Sequence, residues 1–557
     1  PDEDFRYMPI PSGSFQRAGM KKPQDYRASV EQELSLGNLV NAAKFAERAL
    51  SAGQTHPLFL NLAAWRREEM GDYAKAHELL RRALAISPSD PLILGSIGAV
   101  LRKQGFLEEA LSVLDRALAI EPRHAAAWLE RGYVLDALRN ATGATDSYER
   151  ALALDGQLAP AFGKLADAAA RRGDAADARD RAARALALNP LEPAAISALA
   201  ILDIEARDGK AAADRLKPLL ASTLVPEDRI RALTLQGDAL DRQDRVDDAF
   251  KSYQAAQSCF AETYRALLAP RADRPSHRAF IEKIREQVEV TDSVSAPPET
   301  DECRAGSAEN HIFLLGYPRS GTTLVENILA SAPGVVALEE RDTFGGIDEH
   351  LMRNDGVMPD LDRLDPALAT TLRQSYWSRV RQMGGDVSGR TFVDMNPFNA
   401  IKLPIIARLF PRARVIIMRR DPRDIVLSCF RVNFTPGTAA WAFSDLIETA
   451  RHYDAMMRLI EACRERLALP FHELRYDRLV GDFETTVRAL AAFAGLDWTD
   501  DFKSFDRTAS RRGVRTASET QVRKGLYNGG GQWRRYERQL APAFTILQPW
   551  ISRFGSE

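Results

Sequence analysis

The chain has 557 residues, which is too long for one ordinary domain, so we expect at least two. Its composition, 45% hydrophobic and 27% charged, is typical of a soluble globular protein. A formal net charge of -2 gives no global reason to expect nucleic acid or an anionic membrane as a partner, and no apolar stretch approaches the ~20 residues of a membrane-spanning helix.

Residues 1–23 are predicted to be a tail. They lack the basic and apolar regions of a signal peptide, and because the chain does not begin with Met we expect a longer native N-terminus. The four cysteines form no C-x-x-C pair and no zinc spacing, so we interpret them as free thiols of a reducing compartment. We therefore expect a cytoplasmic protein without a bound metal.

The N-terminal half repeats with a period of 34 residues. Each unit predicts two helices separated by a Gly-Asp type of break, and proline often follows the second helix. Small residues at fixed positions would let the helices approach closely. The recurring residues are Gly37, Gly71, Gly105 and Gly173, with Arg139 in the missing slot, and Ala42, Ala76, Ala110, Ala144, Ala178 and Ala212.

This period resembles the tetratricopeptide repeat. About five clear units cover 24–193 and two degenerate units continue to about 264. The resemblance implies an all-α superhelix with a concave groove over 24–264. The period indicates the fold but not the ligand, so a plain scaffold and a groove that binds a protein or peptide both remain open.

A different pattern begins after the repeats. Residues 265–309 are predicted to be a linker, because Pro-, Ser- and acid-rich stretches flank one short helical segment. From 310 onwards short apolar strands such as "HIFLLG", "TFVDM" and "RVIIMRR" alternate with helical runs. This alternation predicts an α/β domain over 310–557, with a parallel sheet covered by helices on both faces.

The segment "GYPRSGTTL", residues 316–324, follows the first of these strands and begins a helix. It has the glycine spacing of a Walker A loop, but Thr322 stands where that loop has lysine. Ligands of parallel sheets collect at the carboxyl ends of the strands, and the loop amides, the helix N-terminus and Arg319 all favour an anion. We interpret the segment as a phosphate-binding loop.

Two further segments fit an anionic ligand. In "IIMRRDPRDIVLSCF", Arg420 follows a strand and Ser428 lies eight positions later on the next helix, so the pair would hold a second phosphate. By itself that pair would also fit a surface Arg–Asp cluster with a buried serine. The glycine-rich "SETQVRKGLYNGGGQW", residues 518–533, predicts either a basic flap over the ligand or a surface loop.

The three segments, in this order, resemble the sulfotransferases that use 3′-phosphoadenosine 5′-phosphosulfate (PAPS), over about 310–555. In that family a P-[RK]-S-G-T-T loop binds the phosphosulfate, an Arg and a Ser eight apart bind the 3′-phosphate, and an R-K-G segment closes over the nucleotide. The resemblance implies PAPS as donor and 3′-phosphoadenosine 5′-phosphate (PAP) as product, without a metal. The implied donor-binding residues are Pro318, Arg319, Ser320, Gly321, Thr322, Thr323, Arg420, Ser428, Arg523, Lys524 and Gly525.

Within this family the pattern is most similar to that of the tyrosylprotein sulfotransferases. Their R-S-G-T-T loop is followed about twenty residues later by an E-E pair, here Glu339-Glu340. The resemblance implies that Glu340 is the catalytic base and that Ser518 and Tyr476 lie near the donor. Bacterial sulfotransferases that join a tetratricopeptide array to such a domain are known, so we expect the array to recruit a protein or peptide whose tyrosine is sulfated.

One position departs from the family. "VDMNPFN" has Met395 where the related proteins carry a lysine that stabilises the sulfuryl group in transfer. Arg319, Lys402 or Lys524 would have to replace it, or activity is reduced. A non-catalytic repeat adaptor with a nucleotide-binding domain therefore remains an alternative. A carbohydrate or small-molecule sulfotransferase is a second alternative. A P-loop kinase or NTPase is a third, which the missing loop lysine disfavours and for which Asp394 is the only candidate magnesium ligand. The oligomeric state is not indicated.

Overall fold

The computed structural model describes residues 26–290, 307–353, 356–512, 526 and 529–555. The chain divides into two compact units, 1–161 and 162–557, and the division falls within the repeat array. Among the described residues, none of the helices is both long and apolar enough to span a membrane.

The first unit consists of antiparallel helix pairs with short turns. Its small residues permit close packing: a Cβ atom at Gly98 would lie 2.5 Å from Leu114, and one at Gly132 would lie 2.3 Å from Tyr148. The helices are α1 (Tyr26–Ser35), α2 (Leu39–Ser51), α3 (Pro57–Glu69), α4 (Tyr73–Ile86), α5 (Pro91–Gln104), α6 (Leu107–Ile120), α7 (Ala125–Ala137) and α8 (Ala141–Leu154), with α9 (Ala159–Arg172) spanning the division.

The 34-residue period has a backbone cause. The glycine slot has a positive φ in successive repeats, with values of 76° at Gly71, 86° at Gly105 and 80° at Gly173. Arg139 and Arg207, which replace glycine in this slot, adopt φ of 60° and 64°. The slot therefore selects a left-handed turn, which glycine adopts at the lowest cost. The recurring alanines are at most 2% exposed: Ala42, Ala76, Ala110, Ala144, Ala178 and Ala212.

The second unit begins with the remaining repeat helices. They are α10 (Ala175–Leu188), α11 (Pro193–Glu205), α12 (Gly209–Ala221), α13 (Pro226–Arg242) and α14 (Val246–Leu268). The helical part of the predicted linker is α15 (His277–Val290), and its Ile281, Ile284 and Val288 are buried in the same apolar core as the sheet residues that follow. That helix is therefore part of the core of this unit.

A five-stranded parallel sheet forms the centre of the C-terminal part, with the order β2-β3-β1-β4-β5. Successive residues of β1 alternate between two cores: Phe313 and Leu315 face one, and Ile312 and Leu314 face the other. Both faces of the sheet are therefore buried, which confirms the predicted fold class. The strands are β1 (Asn310–Leu315), β2 (Val335–Ala337), β3 (Thr391–Met395), β4 (Arg414–Arg419) and β5 (Phe471–Arg475).

The order of the strands locates the crevice for a ligand. The chain passes from β1 to β2 and β3 on one side and then to β4 and β5 on the other, so the order reverses between β1 and β4. Ligands of open α/β sheets bind at such a switch point. The helices around the sheet are α16 (Thr322–Ala330), α17 (Gly345–Leu351), α18 (Pro366–Gln382), α19 (Leu403–Leu409), α20 (Pro422–Arg431), α21 (Thr438–Ala442), α22 (Leu446–Arg466), α23 (Tyr476–Gly481), α24 (Phe483–Ala494), α25 (Phe505–Arg512) and α26 (Glu537–Phe554).

Candidate active site

The predicted phosphate loop joins β1 to the N-terminus of α16, at the switch point of the sheet. Gly321 ends the loop with φ of 109°, and a Cβ atom there would lie 2.8 Å from the ring of Tyr476. Only glycine meets both conditions without strain. The ring of Tyr476, which is 9% exposed, therefore lies directly against the loop.

The hydroxyl groups of the loop are directed inwards. Ser320 is fully buried, and its Oγ has no hydrogen-bond partner among the described residues. Thr322 and Thr323, the first residues of α16, are 3% and 4% exposed. A buried hydroxyl without a partner is rare in folded proteins. Together with the positive end of the helix, it fits a loop that binds the oxygen atoms of an anion.

Two segments that are distant in the sequence meet at this loop. Arg319 Nε donates to Ser428 Oγ at 2.9 Å, and Arg420 donates to the carbonyl oxygen of Arg319 at 3.1 Å. The guanidinium of Arg420 lies 4.7 Å from the ring centre of Tyr476, and its buried Nε has no partner in the part of the chain that the structure describes. The structure thus brings together the predicted 5′-site and the predicted 3′-site.

The electrostatics of this cluster centre on Arg319, whose φ of 71° is unusual for a residue other than glycine. Burial is the main cause that lowers the pKa of this guanidinium, and the charge of Arg420 adds to the effect. The carboxylate of Glu340 acts in the opposite direction and raises it. Two neighbouring arginines that repel each other provide a site at which an anion would be favourable.

The predicted base lies in a turn that the neighbouring helix holds. The backbone N–H of Glu339 donates to Glu326 Oε1 at 2.7 Å, and Glu326, on α16, is fully buried. Glu339 adopts φ of 57°, and Glu340 is exposed. Because α16 also begins at the phosphate loop, one helix positions both the loop and the turn. Sequence reasoning missed Glu326, although an acid within the apolar run "LVENILA" was a signal.

The residues at the end of β3 differ in their surroundings. Met395 is fully buried in an apolar core, and Asp394 is 2% exposed and accepts hydrogen bonds from Thr343 and Tyr376 at 2.7 and 2.6 Å. Burial raises the pKa of Asp394. Both side chains thus have structural neighbours that account for their burial.

Lys402 lines a cavity of about 600 Å³ that also includes Asn396, Asn399 and His277. Its ammonium group donates to Asp348 at 2.6 Å. Among the three predicted substitutes for the family lysine, Arg319 lies in the phosphate loop, Lys402 lies in this cavity, and Lys524 lies outside the described residues.

Comparisons with known proteins identify both parts of the chain. Residues 311–500 match the model of the Sulfotransferase family, and residues 67–131 match that of the Tetratricopeptide repeat. The C-terminal part of the chain carries a sulfotransferase-family domain. The predicted resemblances to the tetratricopeptide repeat and to the sulfotransferases are thereby confirmed at the level of the two domain types.

Curated relatives cover parts of the chain. An uncharacterized protein of Aquifex aeolicus (strain VF5) is 30% identical over 347 residues, which are 60% of this chain and 43% of that protein. Protein-tyrosine sulfotransferase 1 of Danio rerio is 26% identical over 204 residues, which are 34% of this chain and 54% of that protein. The chain thus spans about half the length of the curated relatives that it matches.

Among solved structures, a thermophilic TPR protein of Thermus thermophilus is 27% identical, with a TM-score of 0.28. The match covers 32% of this chain and 98% of that protein.

Most of the predicted flap, residues 518–533, lies outside the described residues, and this part includes Ser518, Arg523, Lys524 and Gly525. The end of the segment, residues 529–533, is described. The carbonyl oxygen of Gly529 accepts a hydrogen bond from Arg420 at 2.6 Å, and the N–H groups of Gly531 and Trp533 donate to Asp424 at 2.7 and 3.0 Å. Sequence reasoning missed Asp424, which holds this segment next to the predicted 3′-site.

A second missed group links the loop to the cavity. Tyr317 of the phosphate loop is hydrogen-bonded to His452 at 2.7 Å, and His452 is hydrogen-bonded to His277 at 2.7 Å. Burial lowers the pKa of His277 to about 4 and that of His452 well below its usual range. Both imidazoles are therefore neutral at pH 7. No sequence pattern predicted this row of three hydrogen-bonded side chains, because Tyr317, His452 and His277 lie in segments that are far apart in the sequence.

Proposed function

We propose that the protein is a sulfotransferase that moves the sulfuryl group of PAPS to an acceptor hydroxyl and releases PAP. One observation carries the proposal: Arg319 with its loop and Arg420 with Ser428 come from separate segments and meet at the ends of the adjacent strands β1 and β4. Their meeting fits a nucleotide with phosphates at two positions.

The residues of the loop fit the 5′ end of this donor. PAPS supplies an activated sulfuryl group and has no γ-phosphate, so Thr322 is suitable where a Walker loop has lysine. The loop amides, the buried hydroxyl of Ser320 and the guanidinium of Arg319 would stabilise charge on the phosphosulfate oxygens and on the departing phosphate. Arg420 and Ser428 would bind the 3′-phosphate by charge-assisted hydrogen bonds.

Glu340 is the proposed base. Its carboxylate would accept the proton of the acceptor hydroxyl while that oxygen forms a bond to sulfur and the bond from sulfur to the leaving phosphate oxygen breaks. Its place in a turn held by Glu326, close enough to Arg319 to act on its pKa, fits a group that reaches the transferred sulfuryl from the acceptor side.

For the acceptor we propose the tyrosine hydroxyl of a protein or peptide, which the repeat array recruits. The likeness to the tyrosine sulfotransferase of Danio rerio supports the residue type. The cavity beside Lys402 is a suitable place for the acceptor chain, since it opens next to Asn396 at the carboxyl end of β3. We further propose that the protein acts in the reducing cytoplasm, where Cys259, Cys429 and Cys463 would stay free thiols.

The donor is tested by thermal unfolding. We expect PAP to raise the melting temperature and ATP with magnesium to raise it much less, because a ligand that binds only the native state stabilises by mass action. A shift with ATP and none with PAP would refute the sulfotransferase proposal.

The acceptor is tested with PAPS that carries a radioactive label in its sulfuryl group. The label should appear on protein tyrosine when the enzyme is incubated with a lysate, and label on carbohydrate would instead support the alternative acceptor. Removal of residues 1–155 should raise the KM for a protein acceptor more than that for a short tyrosine peptide. The cut stops there because helices α13 and α14 share an apolar core with α20 and α26. Equal KM changes would show that the first unit does not recruit the acceptor.

A further inference from the structure

The last two repeat helices pack against the helix that carries Ser428. On α20, Phe430 shares an apolar core with Leu240 of α13 and Tyr253 of α14. The carbonyl oxygen of Phe430 accepts a buried hydrogen bond from Gln257 at 2.7 Å, and its ring stacks on Phe250 with 5.4 Å between the ring centres. The C-terminal end of α20 is therefore built into the repeat helices.

Arg431, the last residue of α20 and three positions after Ser428, is the polar part of this junction. Its side chain is 16% exposed and lies 3.4 Å from Asp238 and 3.5 Å from Asp241 of α13. Its guanidinium also faces the rings of Tyr253 and Tyr536, at 4.8 and 5.4 Å from their centres. A guanidinium held on several sides has little freedom to move, so α20 is fixed in position near the donor site.

Asp241 also holds the segment that follows the predicted flap. Its carboxylate accepts hydrogen bonds from Arg535, at 2.9 Å, and from the hydroxyl of Tyr536. Six residues earlier, at the end of the predicted flap, the carbonyl oxygen of Gly529 accepts a hydrogen bond from Arg420. One carboxylate of the repeat array, with a side chain that is 12% exposed, thus contacts both elements that flank the predicted 3′-phosphate site.

We propose that Asp241 is a positioning residue for the donor, which acts through Arg431 and Tyr536 to set the distance between Ser428 and Arg420. This inference rests on the proposed function, because it assigns a role in the binding of the 3′-phosphate. It makes the last repeat helices part of the transferase site. Loss of the Asp241 charge would release both flanking elements together and widen the gap that the 3′-phosphate has to bridge.

The experiment compares PAP with AMP, which lacks the 3′-phosphate, in the full chain. For Asp241→Asn we expect the dissociation constant of PAP to rise about tenfold, as for the loss of a hydrogen bond to a charged group, and that of AMP to change less than about twofold. A purely structural role would reduce the folded fraction and weaken both nucleotides equally. Asp241→Glu keeps the charge and should restore part of the PAP preference.

The chain offers a matched control in Asp247. It lies on α14 and pairs with Arg538 and Gln539 of α26, but its side chain is 55% exposed. Exposed pairs contribute little, so Asp247→Asn should leave both dissociation constants unchanged. If Asp241→Asn does not fold, Arg431→Lys tests the same junction, since lysine keeps the charge and loses the planar fork; we then expect about a threefold loss of PAP affinity.

The outcomes separate the two proposals. A wild-type protein that binds PAP no better than AMP refutes the proposed function and this inference with it. A wild-type protein that prefers PAP, with the same preference in Asp241→Asn or in the Arg431→Lys substitute, refutes this inference alone. A preference for PAP over AMP that falls in those variants and persists in Asp247→Asn supports the role of Asp241.

Discussion

The substitution Arg420→Met tests the donor site most directly. Methionine keeps much of the apolar volume of the side chain and removes its charge. Arg420 donates to the carbonyl oxygens of Arg319 and Gly529 and lies over Tyr476, and within the described ranges its Nε has no partner. It is therefore both a support of the loop and, in our proposal, a direct ligand of the 3′-phosphate.

The magnitude follows from these two roles. A hydrogen bond to a charged group contributes about 1.5–3 kcal/mol, so the dissociation constant of PAP should rise about 10- to 150-fold. The lost contacts to Arg319 and Gly529 loosen the loop for every nucleotide. That second effect applies to PAP and AMP alike and cancels in the ratio of their dissociation constants.

Isothermal titration calorimetry of both nucleotides measures that ratio. Arg414→Met is the control, because Arg414 begins the same strand, β4, and bonds to Asn310 at 2.8 Å, at the opposite end of the sheet from the site. It should lower stability without a change in the ratio. If Arg420→Met weakens PAP and AMP by the same factor, Arg420 does not bind the 3′-phosphate.

Three further predictions concern other parts of the site. Glu340→Gln should abolish sulfuryl transfer and leave the PAP dissociation constant unchanged, since a base acts on the acceptor. A loss of PAP affinity as large as the loss of activity, measured by calorimetry, would contradict this role. Gly321→Ala places a Cβ atom 2.8 Å from the ring of Tyr476 at φ of 109° and should lower the free energy of unfolding in denaturant by about 1–3 kcal/mol. Gly334→Ala, with φ of 76° and no atom of the described residues within 4 Å of the new Cβ, should lower it less; equal losses would disprove the contact. Because burial lowers the pKa of His277 to about 4, below the ~6.5 of an unfolded histidine, its contribution to stability is complete above pH 6.5 and falls as the pH drops towards 4. His277→Gln should therefore reduce the fall of the melting temperature over that range, and an unaltered pH profile would count against it.

The sequence by itself determined the local features of this protein. The 34-residue period predicted helix pairs, because a left-handed turn and small buried residues recur at fixed steps, as in the φ of 86° at Gly105 and the burial of Ala110. The apolar strands and "GYPRSGTTL" predicted a parallel sheet with a loop at a strand end. Spacing along the chain is sufficient for such features, since they depend on neighbours a few residues apart.

The tertiary structure alone decided which distant groups are in direct contact. It places Arg319 against Ser428 and joins Tyr317 to His452 and His277. It also shows that α15, in the predicted linker, packs into the core of the second unit.

The junction of Asp241 with Arg431 belongs to the same class of features. Its two partners are separated by 190 residues, and each reads in the sequence as an ordinary surface charge. Such contacts depend on the packing of helices and strands that the chain brings together only on folding. The spacing of residues along the sequence therefore does not predict them.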